Sequence, residues 1–280
     1  MPPPDSVVLH LRARRGFTAI DFSELWRYGD LLWILAVRDI KVRYKQAALG
    51  AAWAVLQPLV AMVVFTVFFG YFAGLNAKIE SGVPYPLYTF CALLPWQLFA
   101  HAITSSSNSL VDNQSLITKT YFPRLLIPFA AIIGGLVDFA VAFAIMMVLM
   151  AAYGMVPGWA LLSIPLLVVL TVLTALSVGL WLAALSAMYR DFRHTTGFLV
   201  QIWLFATPVV YPSSIVPPQW QTLYGLNPMV GIIDGFRWAL LGTAAPAPSV
   251  IAVSAVEVML LFILGAIYFR RMERTMADWI

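Results

Sequence analysis

Residues 125–189 run for sixty-five positions with one formal charge, Asp138. A single helix of that length would reach about 97 Å at 1.5 Å per residue, about three bilayer hydrocarbon cores. The chain therefore has to turn, and Gly154-Met155-Val156-Pro157-Gly158 supplies the turn residues. Two spans result, over about 126–153 and 160–188. A second run without formal charge, residues 46–77, predicts a span over about 49–74. Helices alone can satisfy their own backbone in hydrocarbon without closing a barrel. With 61% of 280 residues hydrophobic and 11% charged, against about a quarter charged in soluble domains, the chain is predicted to be an all-α integral membrane protein.

Further spans are expected over about 85–110, 195–210 and 249–269, six in all. The fifth is short. Its sixteen residues reach about 24 Å against a core of about 30 Å, and Pro208, Pro212, Pro217, Pro218 and Pro228 prevent one continuous rod beyond it. Residues 213–241 nevertheless stay apolar and aromatic. This pattern predicts a span that stops early and a re-entrant helical hairpin, about 212–242, filling the outer leaflet between spans 5 and 6 where protein buries its backbone. With both termini cytoplasmic, fifteen of the seventeen basic residues lie inside and only Lys78 and Arg237 lie outside. The positive-inside rule asks for that asymmetry.

The basic cluster Arg38, Lys41, Arg43 and Lys45 just before the first span reads as a headgroup anchor. The net charge of +4 points to lipid rather than nucleic acid, because the basic residues sit where apolar runs end. Residues 1–20 form a polar cytoplasmic lead with no early apolar core, unlike a cleaved signal. Asp21 and Glu24 suit a capping box opening an amphipathic interface helix within 21–45. Leu25, Trp26, Leu32, Trp33, Ala36, Val37 and Ile40 form its apolar side, with Trp26 and Trp33 on one face; a helix packed on a soluble partner is the alternative. The six-span domain is expected over 46–270, with a cytoplasmic tail at 271–280.

Between spans 2 and 3 the polar insert 111–124 predicts a cytoplasmic helix of about two turns, within 112–122. Asp112 or Asn113 can cap it, Pro123 bounds it, and Leu116, Ile117 and Tyr121 are available to a partner. The hydroxyl-rich tract 104–109 suggests that this end of span 2 faces other helices. Phe65, Phe68, Phe69 and Phe72, at i, i+3, i+4 and i+7, are expected to form one stripe.

No GxxxxGK[ST], HExxH or GxSxG pattern occurs, so the chain has no phosphate-cradling loop and no catalytic or metal-binding residues are assigned. Cys91 alone excludes an intrachain disulfide. His10, His101 and His194 fall on three segments and are read as incidental. Intramembrane charges are Asp138, Glu257, Asp234 and Arg237; the last two are three apart and suited to pair. For Asp138 and Glu257 a functional role and a structural bond between helices both stand. A membrane-embedded enzyme is disfavoured because no polar cluster is expected to converge within the spans.

One set of motifs carries a resemblance: RYKQAALGAAWAVLQPL, LLPWQLF, the insert ending in YFPR, MYRDFRH, FATPVVYP and NPMVGIIDGFRWALLG. In this order and spacing they resemble the transmembrane subunit of the type-2 ABC exporters of O-antigen, capsular polysaccharide and teichoic acid, from about residue 26 to the last span. The 1–20 lead is longer than that pattern requires.

The resemblance implies a homodimer in the bacterial cytoplasmic (inner) membrane, with two copies of a separate ABC ATPase that hold ATP and Mg. This chain binds no cofactor itself. Asn113, Gln114, Ser115, Leu116, Ile117, Lys119 and Tyr121 correspond to the coupling helix, and Arg190, Asp191 and Arg193 to a second ATPase contact. The cargo implied is a lipid-linked polysaccharide, and a drug, lipid or other amphiphile is the alternative on the same fold. Trp53, Phe65, Phe69, Phe72, Trp203, Phe205 and Tyr211 are candidates to line a path on which sugar faces slide. The competing assignment puts each in lipid or in the interfacial belt.

Overall fold

A computed structural model describes residues 26–45, 52–79, 82–120, 122–189, 191–246 and 248–273, and every regular element among them is helical. Helix α1 is Gly29–Lys45 and α2 is Ala52–Phe65, continuing into a π-helical turn, Thr66–Phe72, and a 3-10 turn, Leu75–Lys78. Then come α3 (Tyr85–Asp112), α4 (Gln114–Lys119), α5 (Leu126–Ala152), and a 3-10 turn Trp159–Ser163 leading into α6 (Ile164–Met188). Helix α7 is Asp191–Phe205, and a 3-10 turn Ser213–Ile215 precedes α8 (Pro218–Tyr224), α9 (Pro228–Leu241) and α10 (Pro248–Glu273). Four stretches, Ala52–Phe72, Leu126–Ala152, Trp159–Met188 and Val250–Glu273, are long and apolar enough to cross a membrane.

Helix α3 is the axis of the bundle. It packs most extensively on α6 and α5 and also meets α2, α7 and α9. Most of its 28 residues are buried, Ser106, Ser107 and Ser109 included. Its hydroxyls are affordable because neighbouring helices, not lipid, surround it. Ser107 Oγ lies 2.9 Å from both Ser186 Oγ on α6 and Thr196 Oγ1 on α7, so one knot ties three helices. The inward-facing end expected from residues 104–109 is thereby realised.

The chain punctuation follows backbone chemistry. Pro86 stands in the first turn of α3, where a missing N–H leaves nothing unsatisfied. Helix α5 ends where Gly154 takes φ 69°, and Met155 N donates back to Met150 O at 2.8 Å, closing the last turn at the position expected to reverse the chain. Helix α7 has fifteen residues, about 22 Å, and the prolines after it break the chain into the short α8 and the longer α9. Asn227 caps α9, its side chain accepting from Met229 N at 3.1 Å.

Several expectations are corrected. The phenylalanine stripe is split, because the wider turn after Phe65 changes the register. Ala73 N donates to Phe68 O, five residues back, at 3.0 Å. Phe65 and Phe69 meet edge-on at 5.8 Å and lean on the core, whereas Phe68 and Phe72 form a second pair that is exposed. The apolar side of α1 also divides. Leu35 and Ala36 are buried against Ala130 of α5, while Trp26 and Trp33 point outward at 89% and 62% exposure. The basic cluster is not free as a whole: Arg43 turns inward and Arg38 reaches Asn113, leaving Lys41 and Lys45 exposed. Helix α10 continues to Glu273, past the expected start of a tail. The lead, Asp21, Glu24, Leu25, Glu80, Tyr121, Arg190 and residues 274–280 lie outside the described residues.

Two adjacent glycines on α5 test the packing against α3. A methyl group at Gly134 would meet ordinary contacts at 3.9 Å, but one at Gly135 would come within 2.5 Å of His101 Cδ2. Gly134→Ala is expected to hold or raise the unfolding midpoint in detergent, gaining up to about 1 kcal/mol of helix propensity. Gly135→Ala is expected to lower it, at a cost of about 1–3 kcal/mol.

Candidate functional site

Asp112 and Asn113, at the junction between α3 and α4, are each held by another helix. Asp112 Oδ1 accepts from Arg193 Nη2 of α7 at 2.5 Å. Asn113 Oδ1 accepts from Arg38 Nη2 of α1 at 2.6 Å, and its Nδ2 donates to Ser109 O at 2.9 Å. Asn113 does occupy the position before α4, but its side chain makes no cap bond, because those two partners already engage it. Leu116 and Ile117, expected to be available to a partner, are half-buried against the chain's own core. Leu116 also packs on the Leu35–Ala36–Ala130 cluster. The face that remains exposed carries Gln114, Ser115, Thr118 and Lys119.

On the far side of α4, Arg124 donates from Nη1 to Glu273 O at 3.0 Å and from its backbone N to Glu273 Oε1 at 3.3 Å, tying the start of α5 to the end of α10. Asp191, in the first turn of α7, is exposed, and its carbonyl accepts from Thr195 Oγ1. The expected second contact residue Arg193 is thus engaged within the chain.

Two polar clusters form, and of their contacts the sequence predicts only the Asp234–Arg237 pair. In the first, Arg43 of α1 donates from Nη1 to Asp138 Oδ2 at 2.7 Å and from Nη2 to His101 Nδ1 at 2.9 Å. Tyr44 donates its hydroxyl to Asp138 Oδ1, and Ser105 Oγ lies 3.2 Å from His101 Nε2. Asp138 therefore has a cation, and His101 is no isolated histidine. The signal that could have found this pair is Asp138 itself: the one formal charge in sixty-five residues needs a counter-ion, and the basic cluster at residues 38–45 supplies the candidates.

The second cluster centres on Arg237, 1% exposed. Its guanidinium carbon lies 3.7 Å from the centroid of the Tyr88 ring, Nη1 is 3.4 Å from Asp234 Oδ1, and Nη2 donates to Val209 O at 3.0 Å. The pair expected from the three-residue spacing is present. Tyr85 donates its hydroxyl to Val210 O at 2.6 Å, so the segment after α7 is pinned at two adjacent carbonyls, one to α3 and one to α9. Glu257 stands apart on α10, with Oε2 buried and without a hydrogen-bond partner, beside an open hollow that Ala252, Val253, Val256 and Leu260 also line. Among the described residues no three of His, Cys, Asp and Glu gather where a metal ion could be held.

The aromatic candidates separate by position. Trp53, Phe72 and Phe205 are more than half exposed, whereas Phe65, Phe69, Trp203 and Tyr211 pack on the core. Trp203 sits edge-on to Phe99 at 5.0 Å and donates from Nε1 to Asn227 Oδ1 at 3.0 Å. Asn227 in turn donates from Nδ2 to Thr207 Oγ1 and to Ala206 O, at 2.9 and 3.2 Å. That makes Asn227 the link between the end of α7 and the start of α9, a role its place in the NPMVG motif did not disclose. In α2 and α7 the only buried side chains outside the π-helical turn are Pro58 and Thr196, so both helices present broad exposed faces.

The ABC-2 type transporter family matches residues 30–241 of this chain. The chain belongs to that family. It is similar to the O-antigen export system permease protein RfbA of Myxococcus xanthus, with 31% identity over 254 residues, covering 89% of this chain and 95% of that protein. The O-antigen export system permease protein RfbA of Klebsiella pneumoniae is 30% identical over 213 residues, 74% of this chain and 79% of its own length. The polysialic acid transport protein KpsM of Escherichia coli is 22% identical over 241 residues, 85% and 92% of the two chains. The permease is a transporter membrane subunit, not an enzyme.

The Arg43–Asp138 pair joins α1 to α5 of the permease and is measurable as a coupling. Arg43→Gln and Asp138→Asn are each expected to lower the unfolding midpoint, and the double variant by less than their sum. A coupling of about 1 kcal/mol is expected for two half-exposed partners. Additive losses would show the two side chains to act independently.

Proposed function

We propose that this chain is the transmembrane subunit of an ATP-driven exporter that moves a lipid-linked polysaccharide across the bacterial cytoplasmic membrane. The observation that carries the reading is the near full-length similarity to the O-antigen export permease of Myxococcus xanthus. In this reading α2 with its π-helical turn, α3, α5, α6, α7 and α10 are the six spans, within a membrane domain over 46–270. Residues 1–45 and 271–280 lie on the cytoplasmic side. Helices α8 and α9 are the re-entrant hairpin of the outer leaflet. The crowding of Arg38, Lys41, Lys119, Arg124, Arg193, Arg270 and Arg271 at one end supports that orientation.

The working unit is a homodimer with two copies of a separate ATPase that binds ATP and Mg. The ATPase seats on α4 and the start of α7, at Asn113, Gln114, Ser115, Lys119, Tyr121, Arg190 and Asp191. Leu116, Ile117 and Arg193 support those elements from behind, as their intrachain contacts favour. The exposed faces of α2 and α7 bound the path, and Trp53, Phe72 and Phe205 offer ring faces to the sugar chain. Phe65, Phe69, Trp203 and Tyr211 hold those helices on the core. The similarity to permeases named for O-antigen and polysialic acid favours a saccharide cargo over a small amphiphile.

Three measurements test this. Cys91 is buried and so silent towards labels, which lets Lys119→Cys and Asn76→Cys be introduced singly. A membrane-impermeant maleimide is expected to label position 76 in whole cells and position 119 only in inverted vesicles; the reverse would defeat the topology. With the purified ATPase, Lys119→Glu combined with Ser115→Arg is expected to reduce copurification at least tenfold. Inverted vesicles holding the pair are expected to accumulate lipid-linked polysaccharide only with ATP, and vesicles holding the permease alone none.

A further inference from the structure

At the end of the bundle away from Lys119 lies a cavity of about 340 Å³. Its walls come from α3, the α7–α8 connection, α8, α9 and the loop before α10. The groups facing it that matter here are Lys78, Ser213, Ser214, Gln221, Tyr224 and Asp234. We propose that this cavity is a binding subsite for one neutral sugar unit of the exported chain, a proposal that rests on the polysaccharide reading above.

The lining carries what a sugar ring needs. Vicinal hydroxyls are recognised by paired acceptors and donors, and the apolar C–H face of the ring by an aromatic side chain. Asp234 supplies the acceptors. It is fixed from behind by Arg237, which is itself held by the Tyr88 ring and by Val209 O, so the carboxylate is oriented before any ligand arrives. One carboxylate offers about four lone-pair sites; Arg237 approaches Oδ1 at 3.4 Å and Ser213 also hydrogen-bonds the carboxylate, which leaves lone pairs over. Tyr224 donates its hydroxyl to Tyr211 at 3.1 Å, which fixes the ring and leaves its oxygen an acceptor. Gln221 donates to Val216 O at 3.3 Å, which positions an amide carbonyl at the rim, and Ser213 and Ser214 add hydroxyls.

Charge decides between ligands. Among the described residues the lining holds one cation, Lys78, and one anion, Asp234. A phosphate headgroup or an acidic sugar would meet a carboxylate whose nearest cation, Arg237, is buried behind it. The cavity also lacks the excess of Arg and Lys that phosphate recognition uses. A neutral hexose or deoxyhexose meets no such penalty. The wall formed by α8 and α9 is the hairpin that the proposed topology puts on the exit side, where a chain leaving the dimer passes.

The test uses the permease–ATPase complex in nanodiscs and saturation-transfer NMR with methyl α-mannoside, methyl β-galactoside, methyl α-rhamnoside and methyl α-N-acetylglucosaminide. Ring-proton transfer to at least one of the four is expected. Asp234→Asn is expected to weaken it at least tenfold. Because that change also loosens Arg237, Ser214→Trp serves as the second variant, filling the cavity from an exposed position without altering either member of the Asp234–Arg237 pair. It too is expected to abolish the transfer. No transfer to any of the four, transfer undiminished in Ser214→Trp, or displacement by equimolar inorganic phosphate would each overturn the subsite. The same complex in sealed inverted vesicles reports ATP-dependent export separately. Wild-type export without glycoside binding removes the subsite and leaves the exporter reading standing, whereas absent export in wild type defeats the exporter reading.

Discussion

A polar side chain buried inside a helix bundle must find its partner within the protein, because no bulk water is there to supply one. Helix α3 lives under that constraint more than any other element. It carries Tyr85, Tyr88, His101 and a row of serines, and it can do so only because α2, α5, α6, α7 and α9 surround it. Several of its polar groups become ties, Tyr85 to Val210, Ser107 to Ser186 and Thr196, His101 to Arg43, while Thr89 Oγ1, Ser106 Oγ and Asn108 Oδ1 are buried without a hydrogen-bond partner. The more apolar α6 stands between α3 and α10, α5 packs on α3 beside it, and the apolar stretch Ala52–Phe72 is the least buried of all. The least apolar long helix sits at the centre for the same reason that it is the least apolar.

The large features were legible because they depend on length and on prolines. Run lengths fixed the long helices to within a few residues, Gly154 fixed the reversal between α5 and α6, and the prolines after α7 fixed where it breaks. The short polar insert, the hydroxyl-rich end of α3 and the Asp234–Arg237 pair were also readable. Direction within a cluster was not. Arg38, Lys41, Arg43 and Lys45 look alike in sequence, yet Arg43 turns to Asp138 and Lys41 to the outside, because only Arg43 lies opposite the lone acid of α5. Periodicity failed at Phe65–Phe72 since the reading assumed 3.6 residues per turn, and the wider π-helical winding sends alternate rings to different sides. Leu116 and Ile117 were read as outward because the insert is polar as a whole. A six-residue helix still needs an anchoring side, and its two aliphatic residues provide it.

The two polar clusters divide the labour between the ends of the bundle. Arg237, nearly sealed from solvent, takes its stabilisation from an aromatic face, a carboxylate and a carbonyl together, which offsets the cost of burying a charge that no single partner would cover. The Arg43 cluster is half-open by comparison and fastens a helix lying against the bundle rather than one inside it. Asn227 completes the outer arrangement by joining Trp203, Thr207 and the first turn of α9, so the broken stretch after α7 is ordered by side chains where regular backbone pairing stops.

The thirteen residues 112–124 are short, but three distant parts of the chain are fastened to them: Arg38 to Asn113, Arg193 to Asp112, Glu273 to Arg124. In a mechanical sense this is a yoke. A load on the small helix cannot be taken up by its own bending, since both of its ends are pinned. It must appear as a shared tilt of the first, seventh and tenth helices, and a single blow from below becomes a rearrangement of the whole rim.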